Sequence, residues 1–359
     1  MSGEVLPSFE RSGSGDANTG GEGRKVVTNT TCLSSRVRSW MDAFSVRRQR
    51  RHPSSLRMRK WRGLDLNLGN SWIRGEAMSH LLASSFFFFV MLSGDLSMTT
   101  ILVTGGSGAL GRELVGRLVN MSYNVRIMSR NPERHAPQAS ATLEWAQGNL
   151  ETGRGLAQAV AGVDVIIHAA SDPMHARQID VHGTQLLLTK AREAGVSHFI
   201  YISIVGIDRI KYGYYQSKLE AEECIKQSGI PWSILRATQF HTLIDTVLQA
   251  ATKLPLILLP TDLQFQVLDP GEAANRLCKI VAAGPSGRVP DLGGPEVLTG
   301  KQLLRVWLKQ RGMHRLVIQL WLPGKAADGF RHGYNTCLSE PRRGTITWSQ
   351  WVQKKYGKQ

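Results

Sequence analysis

From Ile101 onward, short continuous apolar runs alternate with stretches whose apolar residues recur every three or four positions. The runs are Ile101-Leu102-Val103, Val125 to Met128, Leu143 to Trp145, Val163 to Ile167, His198 to Ile202 and Trp232 to Leu235. Each is three to five positions of strand-forming residues and predicts a buried strand. Between them, Leu110, Leu114, Val115, Leu118 and Val119 form one stripe at helical spacing, and Gly153–Ala161, Val181–Ala194 and Tyr214–Gln227 also read as helices. Strands alternating with helices predict right-handed crossovers and an α/β, doubly wound parallel sheet. Beyond residue 238 the alternation loosens. Thr238–Lys253, Gly271–Ala283 and Lys301–Arg311 read as helices and Phe265–Val267 as a strand. A short final helix is expected around Trp348, Trp351 and Val352.

The first 97 residues lack any sustained period. A Gly/Ser/Asn-rich opening, an arginine-rich stretch from Arg47 to Arg62 and the run Phe86 to Phe89 follow one another, so a disordered basic extension is expected. Met98 opens a natural first strand, and the extension is also explicable as a misplaced start. The division that follows is 1–97 extension, 98–237 dinucleotide-binding domain, 238–338 a substrate-side cap interleaved with the sheet, and 339–359 a basic tail.

Charge adds little. Of 359 residues, 44 Lys and Arg stand against 28 Asp and Glu, a net charge of +16 shared by both parts of the chain. Such a balance suits anionic partners but names none, and a nucleic-acid role rests on charge alone and is ranked last. The apolar run Leu81–Leu92 is too short to span a bilayer, and the four cysteines, far apart, form no ligand pattern. A cytoplasmic protein with no metal and no membrane partner is expected.

The chemistry is written first in Thr104-Gly105-Gly106-Ser107-Gly108-Ala109-Leu110-Gly111, between the first strand and an amphipathic helix. Glycines at this junction let backbone approach a pyrophosphate, whose charge the helix N-terminus stabilises; an ordinary tight turn is the plain alternative. After the second strand, where an acidic residue would meet an NAD ribose, stand Ser129 and Arg130. Arginine there pairs with a 2′-phosphate, so NADP(H) is expected over NAD(H), against the alternative of a surface arginine. Tyr214 and Lys218, four apart on one helix face, form a candidate acid/base pair; a packed tyrosine and a solvated lysine are the alternative.

The glycine turn, Gly148-Asn149-Leu150, His168-Ala169-Ala170-Ser171 and Tyr201-Ile202-Ser203-Ile204-Val205-Gly206 together resemble the atypical and extended short-chain dehydrogenase/reductases, in particular their NmrA-like, NAD(P)H-binding branch. The resemblance covers about Thr99 to Phe330 and implies a Rossmann-type fold with a small C-terminal cap. It also implies that Asn149 and Leu150 meet the adenine and that Ala169, Ala170 and Ser171 line the nicotinamide side. Tyr214 would be the acid, with Lys218 lowering its pKa and holding the ribose. The family's third catalytic hydroxyl falls at Ile204, and Ser203, one residue earlier, points to the other face of a strand. Gln239 and His241 follow the sixth strand, where the family's substrate pocket lies. The expectation is an NADP(H)-dependent reductase acting on a quinone, enone or carbonyl. The alternative is a non-catalytic NAD(P)H-binding sensor that signals to a protein partner.

Overall fold

The computed structural model describes residues 98–134, 140–253, 256–337 and 344–357. The expectations for residues 1–97 and for the start of the basic tail therefore lie outside the described residues.

The chain runs β1 (Thr100–Thr104), α1 (Ala109–Asn120), β2 (Asn124–Ser129), β3 (Leu143–Gln147), α2 (Leu156–Val160) and β4 (Val165–His168). A π-helical turn, Arg177–His182, leads into α3 (Gly183–Glu193), followed by β5 (His198–Ile204), α4 (Gly213–Gln227) and β6 (Trp232–Ala237). Then come α5 (His241–Ala251), β7 (Leu256–Leu259), β8 (Gln264–Phe265), α6 (Pro270–Ala283) and β9 (Gly287–Arg288). The last elements are β10 (Leu298–Thr299), α7 (Gly300–Gln310), β11 (Leu316–Gln319), α8 (Lys325–Arg331) and α9 (Trp348–Tyr356).

Seven strands pair in the order β3-β2-β1-β4-β5-β6-β9, all parallel. This is a Rossmann-type sheet, and its strands read as continuous apolar runs because helices cover both faces. Side-chain alternation sorts each run between two cores. Ile101, Val103, Ile127, Ile167 and Ile200 pack with α1 and α6, whereas Leu102, Ile166, Phe199, Tyr201 and Ile234 pack with α2, α3 and α4.

The C-terminal third departs from the sequence reading in three places. The helix expected from Thr238 begins only at His241, because Thr238 to Phe240 run extended: Thr238 donates to the Leu292 carbonyl at 3.0 Å, and the Leu268 N–H donates to the Gln239 carbonyl at 2.9 Å. The strand expected at Phe265–Val267 is Gln264–Phe265, paired antiparallel with β10. Helix α6 lies in the layer of α1, where Ala273, Ala274 and Leu277 join its core. Strands β7 and β11 and helix α8 were not visible as patterns.

A third core joins α5, α7 and α9 through Ile244, Leu248, Leu304, Trp307, Trp348 and Val352. At its margin the buried Asp245 carboxylate accepts bonds from Trp307 Nε1 at 2.7 Å, Tyr356 Oη at 2.7 Å and Lys355 Nζ at 2.6 Å. Burial pushes this carboxyl upward, but these donors outweigh it and hold the group below the ordinary aspartate value. A lowered folded-state pKa contributes stability above the unfolded value, about 4, that is lost as pH falls through the folded value. Asp245→Ala should therefore cost about 3 kcal/mol in urea unfolding near neutral pH, since it orphans the buried Trp307 donor. The difference from wild type should shrink as pH falls below about 4.

Candidate active site

The first turn of the sheet is shaped by contacts that a β-carbon would block. Gly105 has φ of +70°, and a Cβ there would lie 2.8 Å from the backbone of Ala169 at the end of β4. A Cβ on Gly111 would overlap the Gly105 carbonyl oxygen and lie 2.5 Å from Gly106 Cα, so α1 can start directly against the turn. The turn closes with Gly108 N–H donating to the Gly105 carbonyl at 2.9 Å, and α1 has no acidic residue in its first turn. Its leading N–H groups and dipole thus favour an anion.

The ends of β1 and β4 are tied by a buried polar chain that no local sequence pattern marks. Thr184 Oγ1 donates to the Asp180 carbonyl at 2.6 Å, which leaves it to accept from His168 Nε2 at 2.9 Å. His168 Nδ1 then accepts from Thr104 Oγ1 at 2.7 Å, and Thr104 Oγ1 accepts the N–H groups of Ala169 and Ala170, each at 3.1 Å. Burial lowers the His168 pKa to about 3 and keeps the ring neutral, as this donor order requires. The chain fixes the path of Ala169 and Ala170 beside the glycine turn.

Over these strand ends opens a cleft of about 440 Å³. It gathers Gly105, Ser107 and Gly108 from the first turn, Ser129 and Arg130 after β2, Asn149 and Leu150 after β3, and Ala169, Ala170 and Ser171 after β4. Gly106, Ala109, Leu110 and Gly111 stand behind it; Gly106 packs on Ile127, and Leu110 and Gly111 are buried. Arg134 was missed by sequence reading and lines the cleft with Arg130. Arg130 is exposed, and neither arginine has an ion-pair partner among the described residues. The Asn149 side chain accepts the Glu151 N–H at 2.8 Å and so shapes its own turn.

Tyr214 and Lys218 share a face of α4, as their spacing predicts, but two other residues stand between them. Tyr214 Oη donates to Ser171 Oγ at 2.8 Å, and Ser171 Oγ donates to Asp180 Oδ1 at 2.6 Å. Lys218 Nζ lies 3.5 Å from that same carboxylate oxygen, donates to the Ile202 carbonyl at 3.0 Å and sits over the Tyr201 ring. Lys218 is buried, which lowers its pKa, while Asp180 opposes the shift. Burial raises the Tyr214 pKa well above that of a free phenol. The expectation that Lys218 lowers it is not met in this state, because the ammonium is spent on Asp180 and a carbonyl. Asp180 was missed in the sequence, where it stands just ahead of the helix expected over Val181–Ala194 with no motif around it.

The remaining residues lie apart from the cleft. Ile204, at the end of β5, is half-buried in a cluster with Ile207, Ile210, Tyr215 and Phe330 that also includes Tyr214. Ser203 is buried, and its hydroxyl lacks a hydrogen-bond partner among the described residues. Gln239 bonds the Tyr215 hydroxyl at 3.2 Å and Asn335 at 3.2 Å. His241 is buried against the Trp348 and Trp351 rings. Among the described residues no cluster of His, Cys, Asp or Glu is placed to hold a metal ion.

Comparison with known proteins places this geometry. A family model described as NAD(P)H-binding matches residues 105–253. The chain is 28% identical over 206 residues to a (4-alkanoyl-5-oxo-2,5-dihydrofuran-3-yl)methyl phosphate reductase of Streptomyces griseus, covering 56% of this chain and 70% of that protein. It is 30% identical over 148 residues to the photosystem II assembly factor Ycf39 of Cyanophora paradoxa, covering 39% of this chain and 46% of that one. The chain thus spans about half the length of that relative. Among solved structures, an NADPH-dependent quinone oxidoreductase of Escherichia coli, complexed with NADPH, superposes with a TM-score of 0.61 at 21% identity. The match covers 72% of this chain and all of the other. A Citrobacter triphenylmethane reductase complexed with NADP(H) gives 0.57 at 19%, covering 72% and 95%. At these identities the structures establish the fold.

Two substitutions in α1 separate packing of the turn from helix propensity. Gly111→Ala should destabilise by about 1–3 kcal/mol and weaken NAD(P)H binding, because its methyl group must push the turn off the helix. Gly116, with open space around its Cβ position, should gain about 0.5–1 kcal/mol as alanine and bind unchanged. Urea unfolding and calorimetric titration of both variants check the pair.

Proposed function

We infer that this chain, whose residues 105–253 match a model of NAD(P)H-binding domains, is a reductase of the extended short-chain-dehydrogenase-like group that prefers NADPH and acts on a small apolar electrophile such as a quinone, enone or carbonyl. The observation that carries the reading is the Tyr214 hydroxyl, bonded to a cleft-lining residue, Ser171. The cofactor supplies the hydride. The protein holds its phosphates with the glycine turn and the start of α1, and Arg130, aided by Ser129 and Arg134, receives a 2′-phosphate. Tyr214, kept protonated by burial, gives its proton to the substrate oxygen once that oxygen takes the place of Ser171 Oγ as acceptor of the hydroxyl. Ile204 and Phe330 supply an apolar wall beside it. The thiols of Cys224 and Cys278, free among the described residues, fit a reducing compartment, and we place the reaction in the cytoplasm.

A second reading, an NAD(P)H-binding sensor that signals to a protein partner, draws on two observations. Ile204 brings no hydroxyl to the site, and Lys218 is buried in a pair with Asp180.

Arg130→Ala should weaken NADPH by about 1.5–3 kcal/mol in calorimetric titration and leave NADH nearly unchanged; equal losses would remove the 2′-phosphate assignment. Tyr214→Phe should lower turnover of a quinone or carbonyl by about 10²–10⁴-fold with NADPH affinity retained. Tight NADPH binding with no turnover of any electrophile by the wild type would favour the sensor.

A further inference from the structure

Strand β11 departs from the buried apolar runs of the seven-stranded sheet. All of its residues are exposed, and the apolar run continues through Leu320, Trp321 and Leu322, with Leu316 70% and Trp321 68% exposed. Its one partner is β7, in a two-stranded parallel ribbon, so among the described residues its other edge is unpaired. An open apolar edge is an aggregation hazard unless something covers it, and a contiguous exposed apolar patch marks an interaction site.

The charge along this stretch is mostly positive, for the carboxylates beside the strip, Asp262 and Asp328, are both paired with Arg331, which lies over the Trp321 ring. From Val297 to Ala327 the chain holds Lys301, Arg305, Lys309, Arg311, Arg315 and Lys325 and no Asp or Glu. Lys301, Arg305 and Lys309 recur every four residues along the outer face of α7, opposite the buried Leu304 and Trp307. With His314 they rim a groove of about 530 Å³ whose wall includes Leu308, Met313 and Val317. None of the three has an ion-pair partner among the described residues.

We propose that this face docks on the surface of an anionic lipid bilayer. The Leu316–Leu322 strip seats at the boundary of headgroups and acyl chains, where tryptophan and leucine are favoured, and the basic groove receives phosphate-bearing headgroups. No helix among the described residues is long and apolar enough to cross a membrane, and docking of this kind needs none. The expectation of no membrane partner rested on spanning length, which leaves surface attachment open. Charge separates this occupant from a second copy of the chain. Two copies meeting edge to edge would bring unbalanced cations against each other, whereas an acidic surface gains about fivefold in partitioning for each lysine or arginine near it.

The test is co-sedimentation of the full-length protein with vesicles of phosphatidylcholine, alone or mixed with phosphatidylserine. Sedimentation should require the acidic lipid and fall as salt rises. Arg305→Gln/Lys309→Gln should weaken it by about 30-fold, and Leu316→Ser/Trp321→Ser by at least about tenfold. Neither pair should change NADPH affinity or the melting temperature; the basic pair, on an exposed helix face, carries the test should the apolar pair fail to fold. Failure to sediment with acidic vesicles overturns the proposal, as does binding that ignores the lipid charge and both pairs of substitutions. A concentration-dependent dimer abolished by Leu316→Ser/Trp321→Ser also overturns it, and assigns the strip to a second copy. Because NADPH binding is read separately, loss of vesicle binding leaves the reductase assignment where it stood.

Discussion

Everything at the candidate site depends on how closely the chain leaving β1 can approach the chain leaving β4. The two strands are hydrogen-bonded neighbours, and their outgoing segments must part in order to cover opposite faces of the sheet. That divergence opens a crevice at the switch point of the strand order. The crevice is shallow unless the backbones touch at its floor, and here they do: Gly105 lies against the Ala169 carbonyl with no room for a side chain. Thr104 secures the contact by accepting both the Ala169 and Ala170 N–H groups on one hydroxyl. A larger residue at either place would separate the strand ends and raise the floor of the cleft.

The same economy of donors governs the buried charges. Asp180 has no exposed surface, and a carboxylate in that position is tolerable only when its oxygens are occupied. It accepts from Ser171 and from the Asp172 backbone and faces the Lys218 ammonium. The lysine is therefore neutralised by its own protein. The tyrosine is oriented by a serine that already points its single proton at Asp180, so Tyr214 can only donate to it. Four residues from three segments form one unit whose members cannot be altered independently.

Much of the sheet was legible because parallel strands buried on both faces leave uninterrupted runs such as Val165 to Ile167, and because the glycine turn sits between such a run and an amphipathic stripe. The cleft residues followed, since strand ends in this topology converge on one side. What escaped has a common cause. Asp180 and His168 act through bonds to segments far away in sequence, and no local spacing announces a partner on another strand. Strands β7 and β11 escaped for a different reason: each is a four-residue run without the polar alternation that would mark its faces. The start of α5 was misplaced because backbone bonds from Thr238 and Gln239 to the segments near Leu292 and Leu268 held an extended path where propensity favoured a helix.

Under the reductase reading, the wall around Tyr214 also bears on which electrophile suits the site. Reduction of an isolated carbonyl places nearly a full charge on one oxygen in the transition state, and sites built for it converge more than one donor on that atom. Here Ile204 brings a methyl-bearing side chain to the place where the resemblance leads one to expect a hydroxyl, and Ser203 is buried one residue away. The Tyr214 phenol remains as the proton donor, because the Ser171 proton beside it is committed to Asp180. Electrophiles that spread the incoming charge over a conjugated system need less help at any one oxygen, and their flat faces match a wall of isoleucine and phenylalanine. Quinones and enones meet both conditions better than simple ketones do.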